Sequence, residues 1–229
     1  RLPNKPLIKL NGIPMLLLTV KNCLKVTKSK NIYVATDDTR IKDLCRLNNI
    51  NCVMTSSKCL TGTDRVAEFA KKIKKTFYIN VQGDEPLMPA IDIKKILDYA
   101  KKNPNTITNG FTTIIDKKQF FSEHIPKLVF DNNNFLMYMS RSPIPLNKMK
   151  KFVFGYRQIC VYSFPRKKLL MFSKHKKKTK VENCEDIEIL RFLEMGIKIK
   201  MIKLSNKSIS VDTKKDKIQV ERILKNKNK

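Results

Sequence analysis

The sequence predicts an α/β fold with a mostly parallel, doubly wound sheet. Two observations carry this. Short apolar runs alternate with amphipathic helical stretches across residues 31–102, and the connections between them are only a few residues long. A third observation, the absence of any Gly- or Pro-rich linker or internal repeat, keeps residues 1–229 in a single domain.

The elements follow in order. Residues 31–36 (NIYVAT) read as a buried strand, and residues 37–47 as a helix opened by acids in its first turn. Residues 51–55 form a short strand. Residues 63–75 have helical periodicity, with Val66, Phe69, Ala70 and Ile73 on one face. A strand at 77–82 and a helix at 89–102, entered through Pro89, complete the alternating half. Beyond Thr106 the pattern changes: residues 127–131 and 135–140 flank an Asn-rich turn and predict a β-hairpin. A strand at 157–164 follows. Asn183 is placed to cap a helix over 184–195, stopped by Gly196. A strand at 197–203 and a helix at 214–224 end the chain, with the excursion of the hairpin region spanning about 124–164.

The bulk composition excludes several classes. A hydrophobic content of 41% over 229 residues is enough for one full-sized core. No apolar run reaches the roughly 18 residues a membrane span needs. The six cysteines show no C-x-x-C pair and no histidine at metal spacing, which points to reduced thiols in a cytoplasmic protein rather than to zinc. A net charge of +28 invites a nucleic-acid reading, but only nine of the 48 basic residues are arginine. The lysines are dispersed, no aromatic platform accompanies them, and a solvated surface is the better account of even the densest cluster, SKHKKKTK at 173–180.

The stretch FYINVQGDEPLMPA at 77–90 carries the chemistry. Gly83 is placed to permit a turn where the strand ends, and Pro86 restricts Glu85 to an extended backbone. A carboxylate at the C-terminal end of such a strand sits where α/β sheets bind ligands. Three further segments accompany it: RLPNKPL at 1–7, TGTDRVAE at 61–68, whose helix N-terminus offers free N–H groups, and SVDT at 210–213, where Asp212 follows a strand-like run at 208–211.

Taken together with NGIPML, VATDD, MTSS, YMSRSPIP and ILRFLEMG, these segments resemble the 3-deoxy-manno-octulosonate (Kdo) cytidylyltransferases over nearly the whole chain. The resemblance implies a Rossmann-like nucleotide-diphospho-sugar transferase fold whose β-hairpin region pairs two subunits. It implies transfer of CMP from CTP to the anomeric hydroxyl of Kdo, with release of pyrophosphate, for lipopolysaccharide synthesis. By the same resemblance Asp84 and Asp212 hold Mg2+, with Asp84 and Lys5 catalytic. Arg1, Lys5, Thr61, Gly62, Thr63, Arg65 and Gln82 contact the nucleotide, and Arg141, Gln158, Tyr162, Glu182 and Glu185 the sugar acid. Plainer readings stand beside these: Arg141 as a structural ion pair, Tyr162 as core, and Glu185 and Glu188 as a solvated helix face. Two departures bear on the substrate. Gln158 stands where the family has histidine, and Ile189 where it has glutamine, so an 8-amino relative of Kdo or a nonulosonic acid is the alternative. The family also has a central strand ahead of the position of Arg1, whose loss would leave two strand edges unpaired.

Overall fold

A computed structural model describes residues 4–227. The chain forms two compact units from interleaved segments: residues 1–57, 81–94 and 207–229 in the first, residues 58–80 and 95–206 in the second.

The chain enters through a minimal hairpin, β1 (Lys9–Leu10) against β2 (Ile13–Pro14). Its two turn residues, Asn11 and Gly12, have φ of 46° and 84°, the left-handed pair that a tight hairpin favours. Helix α1 (Met15–Leu24) follows directly and buries Met15, Leu16, Leu18 and Val20. Next comes a β-α-β crossover: β3 (Tyr33–Thr36), α2 (Thr39–Leu47) and β4 (Asn51–Met54), with β3 and β4 parallel and Tyr33 opposite Asn51. Asp38 caps α2 by accepting the Arg40 N–H at 2.8 Å, so the acid predicted in the first turn is instead the cap.

Helix α3 (Gly62–Lys72) and strand β5 (Phe77–Val81) lead to α4 (Ala90–Lys102). The chain then runs through β6 (Ile107–Thr113), α5 (Lys117–Phe121), the hairpin β7 (Lys127–Phe130) and β8 (Leu136–Ser140), and β9 (Tyr156–Pro165). Helices α6 (Arg166–Phe172), α7 (Lys180–Glu185) and α8 (Leu190–Glu194) precede β10 (Ile199–Lys203), and α9 (Lys214–Lys227) closes the chain. Among the described residues no helix is long and apolar enough to cross a membrane.

The sheet of the second unit has the order β10-β6-β9-β7-β8, with β5 also pairing β9. β10 and β6 are parallel, Ile199 opposite Ile107, whereas β9 runs antiparallel to both β6 and β7. The second half of the chain therefore mixes strand directions. The long β9 returns beside β6 as an antiparallel neighbour, a pairing that alternation over residues 31–102 could not signal. Six of the seven β6 residues are buried, so ITNGFTT shows no inside–outside period and escaped the sequence reading.

Two expectations change here. Residues 184–195 do not form one helix capped by Asn183. Thr179 caps α7 through a capping box with Glu182, and Asp186 at φ 51° ends it. The break lets Ile187, Ile189 and Leu190 turn inward. Residues 208–211 form no strand; Val211 N–H donates to the Asp84 carbonyl at 3.0 Å instead. Gly196 stops α8 as expected, at φ 70°.

Gly110 is closely packed at the irregularity between β6 and β9. A Cβ there would lie 2.4 Å from Leu204 Cδ1, 3.1 Å from Val161 Cγ1 and 3.3 Å from Ile159 Cβ. Gly110→Ala is expected to destabilise by about 1–3 kcal/mol, read as a lower denaturation midpoint. An unchanged midpoint would mean that the β6–β9 contact relaxes freely.

Candidate active site

In the first unit a hydrophobic cluster gathers three distant segments. Leu10, Met15 and Leu18 pack with Leu87, just past the end of β5, and with Val211 and Val220 from the C-terminal segment. Burying these six side chains brings Lys5, Asp84 and Asp212 together. Lys5 Nζ donates to Asp84 Oδ2 at 2.6 Å and to Asp212 Oδ1 at 2.8 Å. All three side chains keep a fifth to a third of their surface exposed.

The supports of this trio are local. Lys5 follows Asn4, which sits at φ 55°, and precedes Pro6 inside a single 3-10 turn. Asp212 accepts from the Ser210 hydroxyl at 3.1 Å; the Thr213 hydroxyl caps α9 by accepting the Asp216 N–H at 3.2 Å, and Asp216 takes the N–H groups of Asp212 and Thr213 in return. The turn carrying Asp84 is tied at Gln82, whose carbonyl accepts the Glu85 N–H at 3.2 Å. Glu85 itself is buried and receives the Ser208 hydroxyl, so the second acid of the pair anchors the turn. Asn22 Nδ2 holds the Pro86 carbonyl at 3.1 Å.

Burial works against the charge of Lys5, but the Asp84 charge and hydrogen bonds to both carboxylates outweigh it and hold its pKa above 10.5. The ammonium stays charged at neutral pH. Asp84 Oδ1 is buried and has no hydrogen-bond partner among the described residues. Two carboxylates that face one ammonium leave a net negative charge, and one of their oxygens lacks a donor. That is hard-cation chemistry.

In the second unit Thr61 caps α3. Its hydroxyl accepts the Asp64 N–H at 3.2 Å and donates to Asp64 Oδ2 at 2.8 Å. Arg65 N–H closes the first turn on the Thr61 carbonyl at 3.2 Å. Gly62 is exposed, Thr63 is buried, and the Thr63 N–H is already held by Glu188 Oε2 at 2.8 Å. Burial raises the Glu188 pKa against the lowering effect of these bonds.

The family described as cytidylyltransferase matches residues 1–199. The chain is 35% identical to the 3-deoxy-manno-octulosonate cytidylyltransferase of Chlamydia pneumoniae over 98% of its own length and 89% of that protein. It is equally, 35%, identical to the 8-amino-3,8-dideoxy-manno-octulosonate cytidylyltransferase of Shewanella baltica, over 94% of this chain and 90% of that one. A solved CMP:2-keto-3-deoxy-manno-octonic acid synthetase, complexed with CTP, superposes with a TM-score of 0.90 at 27% identity, covering 99% and 94% of the two chains. The chain belongs to the cytidylyltransferase family.

In this cytidylyltransferase the residues expected on the sugar-acid side are mostly occupied. Arg141 spends its guanidinium on backbone carbonyls: Nε on Glu185 at 2.7 Å, Nη1 on Glu123 at 3.1 Å and Nη2 on Asp186 at 3.0 Å. Its Nη2 also lies 3.7 Å from Asp186 Oδ2, an ion pair of the kind the plainer reading names. Glu182 is fully buried, and both its oxygens are taken, by Arg191 and by Thr179, so it presents nothing to a ligand. Tyr162 is 1% exposed and stacks on Phe164 at 5.4 Å. Gln158 is buried beside it, donating to Asn109 Oδ1 at 2.9 Å and to the Tyr162 hydroxyl at 3.2 Å. Both are core residues here, because β9 is buried over most of its length. Glu185 remains half-buried; its carboxylate takes the Ser140 and Tyr138 hydroxyls and the Arg141 N–H. Burial would raise its pKa, yet these bonds hold it below the usual carboxylate value. Arg1 lies outside the described residues.

Glu188, read from the sequence as part of a solvated helix face, lies instead between α7 and α8 and holds the Thr63 N–H. Two residues were given no role from the sequence: Asp64 and Arg191. The available signal was Arg191 itself, a cation set in the apolar run ILRFLEMG.

Gly83 proves to matter less than its position suggests. Its φ is not in the left-handed region, and a Cβ would meet only Leu16 Cδ1 at 3.5 Å. Gly83→Ala is expected to leave stability within about 1 kcal/mol, on the stabilising side, because it narrows only the unfolded chain. A clear destabilisation would show that the turn needs glycine after all.

Proposed function

We propose that this cytidylyltransferase transfers CMP from CTP to the anomeric hydroxyl of 3-deoxy-manno-octulosonate and releases pyrophosphate. The observation that carries the reading is the Lys5–Asp84–Asp212 trio with its unpartnered Asp84 oxygen. Among the described residues no group of three or more His, Cys, Asp or Glu gathers as a metal site. Mg2+ asks for less, one or two carboxylates completed by phosphate oxygens and water, and Asp84 and Asp212 fit that demand. Such an ion supplies polarisation of the α-phosphate and a lowered pKa for the attacking hydroxyl.

The chain's own residues supply position and charge. Lys5, a mobile point charge on a long stem, exchanges carboxylate for triphosphate oxygens and offsets the charge that spreads over them during transfer. Gln82, two residues before Asp84, meets the ribose or sugar. Thr61, Gly62 and Arg65 read the nucleoside at the edge of the α3 turn, with the buried Thr63 shaping that turn from behind and Arg1 completing the nucleotide contacts. Glu185, held by three donors, is the remaining candidate on the sugar side.

A homodimer through the hairpin region accompanies this reading. Met137, Leu146, Met149, Val153 and Phe154 are exposed apolar side chains in that stretch, a grouping typical of a protein-facing surface. A cytoplasmic setting accords with six free cysteines.

A second substrate, 8-amino-3,8-dideoxy-manno-octulosonate, is favoured by the equal identity to the Shewanella relative. The test is pyrophosphate release from CTP and Mg2+ with Kdo, its 8-amino relative and neuraminic acid, with Asp84→Ala as control. Release with Kdo alone, lost in the control, supports the first reading; release with another acid alone moves the substrate. No release from a folded protein overturns the activity.

A further inference from the structure

Arg191 is a fully enclosed cation, and nothing in the chemistry proposed above uses it. Enclosing a guanidinium is costly unless every donor finds an acceptor. Here the acceptors come from two directions. Nε and Nη2 fork onto the two oxygens of Glu182, both at 2.6 Å. Nη1 reaches Asp64 Oδ1 at 2.9 Å and Nη2 reaches Asp64 Oδ2 at 3.3 Å. The planar face lies 3.8 Å from the centre of the Phe172 ring.

A cluster of this kind could be replaced as a whole by packed aliphatic residues at little loss of stability, since buried ion clusters seldom outperform packed hydrocarbon. What the ions add is direction. Asp64 Oδ2 accepts the Thr61 hydroxyl, and Thr61 Oγ1 takes the Asp64 N–H in return. Arg191 clamps the carboxylate of that reciprocal pair in one plane. Three residues earlier on the same segment, Glu188 holds the Thr63 N–H. The turn at 61–64 is thus gripped from beneath by two side chains of one short segment, while Gly62 stays exposed.

We infer that Arg191 is a positioning residue for nucleotide recognition: through Asp64 it holds the Thr61–Thr63 turn in its ligand-ready shape and touches no ligand itself. The inference rests on the reading of that turn as the nucleoside contact.

The experiment measures CTP affinity by calorimetry, KM for CTP and for the sugar acid that supports turnover, and thermal midpoint. The variants are Arg191→Lys, Arg191→Met and Asp64→Asn. Small misplacements of positioning groups cost up to about a hundredfold, so CTP affinity is expected to fall by about tenfold to a hundredfold in Arg191→Met and Asp64→Asn. Arg191→Lys, which keeps the charge but not the fork, should recover part of that loss. The KM for the sugar acid should move by less than about twofold. Asp64→Asn keeps its shape at the more open edge of the network and decides the matter where an Arg191 variant fails to fold. Folded variants that bind CTP as tightly as wild type, or that raise both KM values alike, would overturn the inference alone. A wild-type protein that binds no CTP would overturn the functional reading, and this inference with it.

Discussion

Asp84→Asn is expected to lower kcat/KM for pyrophosphate release by on the order of 10²–10³, the usual loss when one preorganised electrostatic contact at the reacting centre is removed. The asparagine keeps the shape of the turn, which Glu85, Asn22 and the Gln82 carbonyl hold independently. Lys5 keeps Asp212 as a partner, so no buried cation is orphaned. Partly exposed ion pairs of this kind contribute about 0–1 kcal/mol, and the thermal midpoint should move little. Steady-state kinetics and a melting curve on one preparation separate the two effects: a large rate loss with an unchanged midpoint is expected, and full activity would remove Asp84 from the mechanism. The trio also has a pH signature. The folded pKa of Lys5 lies above its unfolded 10.5. Its contribution to stability is therefore complete below pH 10.5 and disappears as pH rises through the folded value. Lys5→Met should abolish that alkaline component while leaving stability between pH 6 and 9 nearly flat.

Arg191→Met is expected to have the largest effect on stability, about 3–5 kcal/mol, because it strands Glu182 in the interior without its cation. At about 2–4 °C per kcal/mol for a chain of this size, that is a drop of roughly 6–20 °C in Tm. Burial opposes the Arg191 charge, but its bonds to Glu182 and Asp64 prevail and hold the pKa above the usual arginine value, so the wild-type cluster keeps its cation at moderately alkaline pH. The added substitution Glu182→Leu should restore part of the loss, since it removes the fully buried charge and leaves only Asp64, at the more open edge, without its cation. Chemical denaturation of the two variants checks this. Equal midpoints would mean that Glu182 is satisfied without Arg191, through the Thr179 N–H it already accepts at 2.9 Å.

Much of this was legible from residue order. The crossover β3-α2-β4, the amphipathic α3, the strand leading to Asp84 and the hairpin β7–β8 all lie where periodicity and turn residues put them. Each depends on neighbours in sequence: an apolar stripe, a cap, an Asn-rich turn. Family membership was legible for a different reason. The segments RLPNKPL, NVQGDEP and SVDT carry a resemblance by their order along the chain, which needs no knowledge of packing.

Other elements depended on burial. β6 carries no alternation because both faces are covered, and α7 and α8 are separated because Ile187 and Ile189 must turn inward at Asp186. The sugar-side residues show the same limit. Arg141, Tyr162 and Glu182 have the side chains a sugar-acid site would want, yet their partners are a set of carbonyls, a stacked phenyl ring and a buried guanidinium.

The sequence by itself determined which chemistry the chain can hold: a lysine with two carboxylates 79 and 207 residues further along, and a capped turn at the head of α3. Only the tertiary structure decided which groups are free to use it. Hydrogen-bond capacity is finite, and a polar group enclosed by the fold must spend it on the protein, whereas Asp84 Oδ1 still has an acceptor site to offer.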